Sequence, residues 1–301
     1  VVRVRHAYPR LTQLNHDGLA VIVVPVTLLE LLVGHVHLLS QLAGVVNLVI
    51  GGGQEVGNAI IEHPDMPLVS FTGSTETGIG VATTGARLNK RISLEMGGKN
   101  AVMVMEDADL DLAVNGILWS AFGTSGQRCT AASRVIAHRS VQAELVDRLV
   151  ERAAAMKLGN GLDESIDVGP VVSGNQLETI NSYVAIGQAE GARLATGGAI
   201  VRDGDLGAGF FHQPTIFADA KYDMRVAQEE IFGPVTTVVP VDSLDEAIAA
   251  VNSVKYGLSA SIFTADVNRA FRAMQDVFTG ILYVNAGTTG AEIHLPFGGT
   301  K

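Results

Sequence analysis

The sequence holds one cysteine, Cys129, within Gly126-Gln127-Arg128-Cys129-Thr130. Glu95 stands 34 positions earlier, opening Glu95-Met96-Gly97-Gly98-Lys99. A thiolate is a strong nucleophile and forms covalent intermediates. A carboxylate that ends an apolar strand, here after Ile92 and Leu94, tends toward a raised pKa and can act as a general base. Cys129 and Glu95 therefore read as a nucleophile and a base. Each also has a plainer reading. A lone thiol often only packs, and Glu95 could be a surface residue in a glycine turn. The small residues around Cys129 leave room for a substrate and weigh against simple packing. A helical turn beginning after Cys129 would add a dipole that favours the thiolate.

Three further motifs carry possible chemistry. Phe71-Thr72-Gly73-Ser74 is followed by Thr75-Glu76-Thr77-Gly78, which places glycine and hydroxyls where a strand becomes a helix. Free backbone N–H groups at such a start can hold a phosphate. Taken alone, the motif suits an ordinary capped helix better. Gln228-Glu229-Glu230-Ile231-Phe232-Gly233-Pro234 joins acidic groups to an aromatic ring and a turn. Its carboxylates could accept ribose hydroxyls and its ring could pack on a planar group, or it is a solvated helix end stopped by Gly-Pro. Leu295-Pro296-Phe297-Gly298-Gly299 reads by itself as a simple turn. His35-Val36-His37 lacks a third ligand at a familiar spacing. Asp107 to Asp111 lacks the glycine and closing glutamate of a calcium loop, so it reads as a helix cap.

The elements that must position these groups alternate. Short Val- and Ile-rich runs interleave with amphipathic stretches, the pattern of parallel strands joined by crossover helices. Strands are expected at Val45–Ile50, Leu68–Thr72, Arg91–Leu94, Ala101–Met105, Val235–Val239, Ser259–Phe263 and Ile281–Val284. Helices are expected from Thr75, from Asp107 or Asp109 to Phe122, and over Ser140–Lys157, Ser173–Glu190 and Ser243–Val254. Gly18 to Gly34 reads as a buried strand followed by a helix, because Pro25 and Glu30 interrupt a stretch already short for a bilayer. Val1 to Asp17 is basic and without pattern. Gly97-Gly98 is the expected hinge. Open α/β sheets bind ligands at strand carboxyl ends, so the site is expected there.

Composition bounds the rest. The chain has 301 residues, 47% of them hydrophobic, which suffices for a sizeable core divided between two lobes. Its formal charge of −10 and lack of a basic stripe point away from nucleic acid. No secretory signal or membrane span is expected, and one cysteine fits a reducing, cytoplasmic setting.

Together and in this order, the motifs resemble those of the aldehyde dehydrogenase superfamily, over about Gly44 to Lys301. The resemblance implies an α/β fold, with a parallel-sheet dinucleotide-binding lobe over residues 1–95 and an α/β catalytic lobe over residues 96–301. It implies NAD(P)+-dependent oxidation of an aldehyde to the acid. Cys129 would form a thiohemiacetal and then a thioester, which water activated by Glu95 would hydrolyse. Relatives that pass the acyl group to coenzyme A typically lack this glutamate. Gly73, Ser74 and Gly78 would serve the cofactor pyrophosphate, Glu230 the nicotinamide ribose, and Phe232 would border the nicotinamide. NAD or NADP is the implied cofactor and a small aldehyde the partner, with homo-oligomers usual in the family. Gly257 to Thr264 and Gly290 to Ile293 resemble the semialdehyde-oxidising, antiquitin-like branches. The family's N-terminal portion, with its oxyanion asparagine, and its last strand are expected to be missing from this chain. The alternative reading is a shortened member that keeps the fold with little or no turnover.

Overall fold

The computed structural model describes residues 20–23, 46–292 and 294–301. The chain divides into two units, Val1–Met96 and Gly97–Lys301, and the boundary falls immediately before the glycine pair.

In the first unit, β1 (Ala20–Val23) pairs in parallel with β2 (Val46–Val49). A short π-helical turn at Gly53–Gly57 leads into α1 (Asn58–Glu62). Then β3 (Leu68–Thr72), α2 (Thr75–Arg87) and β4 (Arg91–Glu95) form a crossover unit, with β3 and β4 parallel. Ser74 caps α2, and the helix buries Gly78, Val81 and Gly85. A β-carbon on Gly85 would overlap the Ile92 side chain, so the missing side chain lets helix and strand close up. The helix expected before Gly34, the arm Val1 to Asp17 and His35-Val36-His37 lie outside the described residues.

The second unit is a helix–sheet–helix sandwich. Its elements run β5 (Asn100–Val104), α3 (Leu110–Phe122), β6 (Ala132–His138), α4 (Arg139–Ala154), α5 (Gly174–Ala189), β7 (Arg193–Thr196), β8 (Ile200–Val201), β9 (Phe211–His212), β10 (Thr215–Ala218), α6 (Arg225–Gln228), β11 (Val235–Val241), α7 (Leu244–Asn252), β12 (Ser259–Phe263), α8 (Val267–Asp276) and β13 (Ile281–Val284). Seven strands form one sheet in the order β13-β12-β5-β6-β11-β10-β7. All neighbours are parallel except β7 against β10.

The central strands are buried on both faces, as parallel strands between helix layers must be. Side chains alternate across the sheet with period two. Met103, Ile136, Val239 and Ile262 pack with Ile180 of α5 and Val251 of α7. Val102, Val104, Val135 and Val238 pack on the opposite side with Ile117 of α3 and Leu149 of α4. Asp109 caps α3 through a 3.0 Å bond from the Leu112 N–H, so the acidic run there is a helix start.

Two interior strands, β10 and the central β6, are absent from the sequence expectations, and β6 shows why. Its run Ala132-Ser133-Arg134-Val135 is interrupted by a charge and does not read as a buried strand. Arg134 is nevertheless fully buried. Its guanidinium donates to the carbonyls of Lys99 (3.0 Å), Ala250 (2.8 Å) and Val251 (3.1 Å), which offsets the loss of water. Among the described residues, no helix is long and apolar enough to cross a membrane.

Candidate active site

Two of the expected groups sit side by side in the first unit. The strands β3 and β4 end in register, with Thr72 opposite Glu95. The Gly73 N–H donates to the Glu95 carbonyl at 3.1 Å, so the turn into α2 starts beside Glu95. Ser74 Oγ accepts from the Thr77 N–H at 3.2 Å. Gly73, Ser74 and Thr77 are exposed, which leaves the positive end of α2 accessible. Gly78 is buried, and a β-carbon there would overlap the Met96 sulfur. Glu95 is partly buried, and burial raises the pKa of its carboxyl. These groups lie at strand carboxyl ends, as the sequence suggests.

The second unit departs from that expectation. Cys129 precedes β6, Gly98 precedes β5, and Glu230 to Phe232 precede β11, so these groups gather at the amino ends of the parallel strands. Cys129 is the second residue of a β-turn closed by the Ala131 N–H on the Arg128 carbonyl, 3.0 Å. No helical turn follows. The chain enters β6 at Ala132, which pairs at once with Asn100, and no helix dipole from that side acts on the thiol. Cys129 itself is half-buried. Arg134 is committed to three carbonyls, whereas Arg128 is exposed.

Glycines explain how the motifs meet. A β-carbon on Gly97 would overlap the Glu230 carboxylate, and one on Gly98 would overlap the Cys129 carbonyl oxygen. The glycine pair therefore receives Glu230 on one residue and the Cys129 turn on the next. Glu230 Oε1 accepts from the Gly98 N–H at 3.1 Å. Burial raises the Glu230 pKa, opposed by that hydrogen bond and by the nearby Lys99 and Lys255 ammonium groups. Gly126, at φ +66°, abuts Gly233 and joins the cysteine loop to the Glu230 loop.

Side chains then fix both loops. Gln127 accepts from the Val172 N–H at 2.8 Å and donates to the Pro170 carbonyl at 3.3 Å. Ser125 donates to the Gly169 carbonyl at 2.8 Å. Gln176 donates to the carbonyls of Ile231 (2.8 Å) and Phe232 (3.0 Å), holding Phe232 at φ +54° with an exposed ring. A shallow, narrow cleft is lined by Gly98, Gly126, Arg128, Ser133, Glu230 and Phe232, among others.

Sequence reading missed Asn100 and Thr288. The Asn100 amide donates to the carbonyls of Cys129 (2.7 Å) and Ala131 (2.9 Å), and Thr288 donates to that of Thr130 (2.7 Å). A polar residue opening the apolar run Asn100-Ala101-Val102-Met103-Val104 was the available signal. Among the described residues, no group of three His, Cys, Asp or Glu could hold a metal ion.

The sequence profile of the Aldehyde dehydrogenase family matches residues 25–301, a start earlier than the Gly44 inferred from motifs. The chain is 41% identical to an alpha-ketoglutaric semialdehyde dehydrogenase of Bacillus subtilis, over 86% of this chain and 53% of that protein. It is 43% identical to a betaine aldehyde dehydrogenase of Rhizobium leguminosarum, over 84% and 52%. Among solved structures, a betaine aldehyde dehydrogenase of Staphylococcus aureus in complex with NAD+ superposes with a TM-score of 0.83 at 37% identity, covering 86% of this chain and 51% of that one. The chain spans about half the length of the curated relatives it matches.

Proposed function

The chain belongs to the aldehyde dehydrogenase family, and on that footing we propose that it oxidises an aldehyde or semialdehyde to the carboxylic acid with NAD+ or NADP+. In this reading Cys129 Sγ attacks the aldehyde carbon and holds the substrate first as a thiohemiacetal and, after oxidation, as a thioester. Glu95 takes a proton from the water that attacks the thioester. The acid leaves and the thiol is restored. A bound nicotinamide dinucleotide supplies the hydride acceptor.

The residues suit that cofactor in kind. The accessible start of α2, with Gly73 and Ser74, suits a pyrophosphate. Gly78 supports that helix by letting Met96 pack beneath it. Glu230 offers acceptors for ribose hydroxyls, and the exposed Phe232 ring offers a face for the nicotinamide. A reducing, cytoplasmic setting suits a reaction that depends on one thiol.

The observation that carries this reading is the glycine pair. Gly97 makes room for Glu230 and Gly98 for the Cys129 turn, so two separate motifs close on one another. The test is NAD+ and NADP+ reduction over a panel of semialdehydes and betaine aldehyde, with Cys129→Ala as control. Reduction that vanishes in Cys129→Ala supports the reading. Thiol labelling of Cys129 without any reduction would instead favour a member that keeps the fold without turnover.

A further inference from the structure

The nucleophile turn is held by its carbonyls. Cys129, Thr130 and Ala131 are consecutive, and the carbonyl of each accepts a side-chain hydrogen bond. The Asn100 amide uses both of its hydrogens, one on Cys129 and one on Ala131. Its oxygen accepts from the Ser259 N–H at 3.1 Å, so the amide's orientation is fixed by β12. The Thr288 hydroxyl takes the Thr130 carbonyl, and the Thr288 N–H donates to Ser120 Oγ at 3.1 Å. Ser259 also joins the two clamps, because its Oγ lies 3.5 Å from the Thr288 carbonyl. Asn100, Ser259 and Thr288 are all buried. Gly98 completes the arrangement, since a side chain there would press on both the Cys129 carbonyl and the Asn100 amide.

We propose that Asn100 and Thr288 are positioning residues that fix the peptide planes of the Cys129 turn and thereby aim Sγ at a carbonyl carbon. The inference rests on the reading of Cys129 as the nucleophile. The physical ground is that three consecutive residues with every carbonyl captured have few orientations left. Attack on a carbonyl needs the sulfur within a narrow range of approach, and a misplacement of about 1 Å can cost about a hundredfold in rate. Asn100→Asp keeps the shape but replaces two donors with an acceptor that faces two carbonyls. Thr288→Val keeps the bulk and removes one donor.

The test uses the burst of p-nitrophenolate released when p-nitrophenyl acetate acylates Cys129, which requires no cofactor. It is run on the full chain and on Asn100→Asp, Thr288→Val and Thr288→Ser, alongside the aldehyde-dependent burst of reduced nicotinamide. The expected result is a burst rate constant lower by about ten- to a hundredfold in Asn100→Asp, and by a smaller factor in Thr288→Val. Thr288→Ser should restore it. A merely structural role would lower the burst amplitude, which counts folded protein, and leave the rate constant unchanged. That outcome overturns the proposal, as does failure of the unmutated chain to acylate Cys129. An ester burst that obeys these expectations without nicotinamide reduction would sustain the clamp and refute the dehydrogenase reading.

Discussion

Gly126 lies so close to Gly233 that a β-carbon on Gly126 would overlap the Gly233 carbonyl oxygen. Gly126 also holds φ at +66°, in the left-handed region that other residues enter only at a cost. Two constraints thus require the same residue type, and they join the Cys129 loop to the Glu230 loop. Gly126→Ala is expected to destabilise the second unit by about 2 kcal/mol or more, from the backbone strain plus the displacement of Gly233. Urea denaturation measures this through the midpoint. A variant as stable as the unmutated chain would show that the two loops separate without penalty.

Gly98→Ala tests the approach of the Cys129 turn more directly. The added methyl would meet the Cys129 carbonyl oxygen and both polar atoms of the Asn100 side chain. The variant is expected to fold with reduced stability and to lose at least about tenfold in the rate of Cys129 acylation, since the turn must shift to admit the methyl. Equal acylation rates in variant and parent would mean that Gly98 serves packing alone.

Much of this arrangement was legible before any coordinates. Ser74, Asp109, Ser173 and Ser243 each cap a helix where a Ser or Asp precedes an amphipathic run, because a side-chain oxygen that satisfies a free N–H leaves a local signature. The strands Leu68–Thr72, Ser259–Phe263 and Ile281–Val284 have the bounds their apolar runs suggest. What escaped was long-range. Arg134 masks β6 because its three acceptors come from two distant segments, and nothing local announces them. Asn100 and Thr288 are separated from the carbonyls they hold by 29 to 158 positions, so only the folded chain reveals their purpose. The glycines were visible as motifs. Their reason, which is the atom each one makes room for, was not.

Glu95 gives a prediction in pH. Burial raises the pKa of its carboxyl above the ordinary range near about 4.3. If Glu95 activates water, it must be ionised, so turnover falls as pH drops through that raised value and is full above it. Glu95→Gln should remove this acid limb and lower steady-state turnover by about a hundred- to ten-thousandfold, as loss of a general base does. The first burst of reduced nicotinamide should remain, because acylation of Cys129 precedes the hydrolytic step. Steady-state and burst kinetics across acidic pH measure both effects. An unchanged acid limb in Glu95→Gln would assign the base elsewhere.

Lys99 carries a prediction in stability. Its Nζ is buried and has no hydrogen-bond partner among the described residues, beside a small pocket lined by Arg134, Tyr256 and Thr279. Burial, with the Arg134 charge adding to it, pushes the lysine pKa down to about 7, against a smaller pull upward from Glu230 and Glu229. The unfolded chain holds the same proton with a pKa near about 10.4. Protonation therefore favours unfolding. The destabilising effect is fully present below about pH 7 and disappears as pH rises toward the ordinary lysine range. Stability should climb across that window with a slope of at most about 1.4 kcal/mol per pH unit from this one group. Lys99→Met removes the charge and keeps most of the aliphatic stem. Relative to the parent, it should be more stable at neutral pH and lose that advantage in alkali. Urea midpoints of parent and variant at several pH values measure the difference. Two curves that run parallel would show that Lys99 keeps an ordinary pKa, with a partner for its ammonium group in solution.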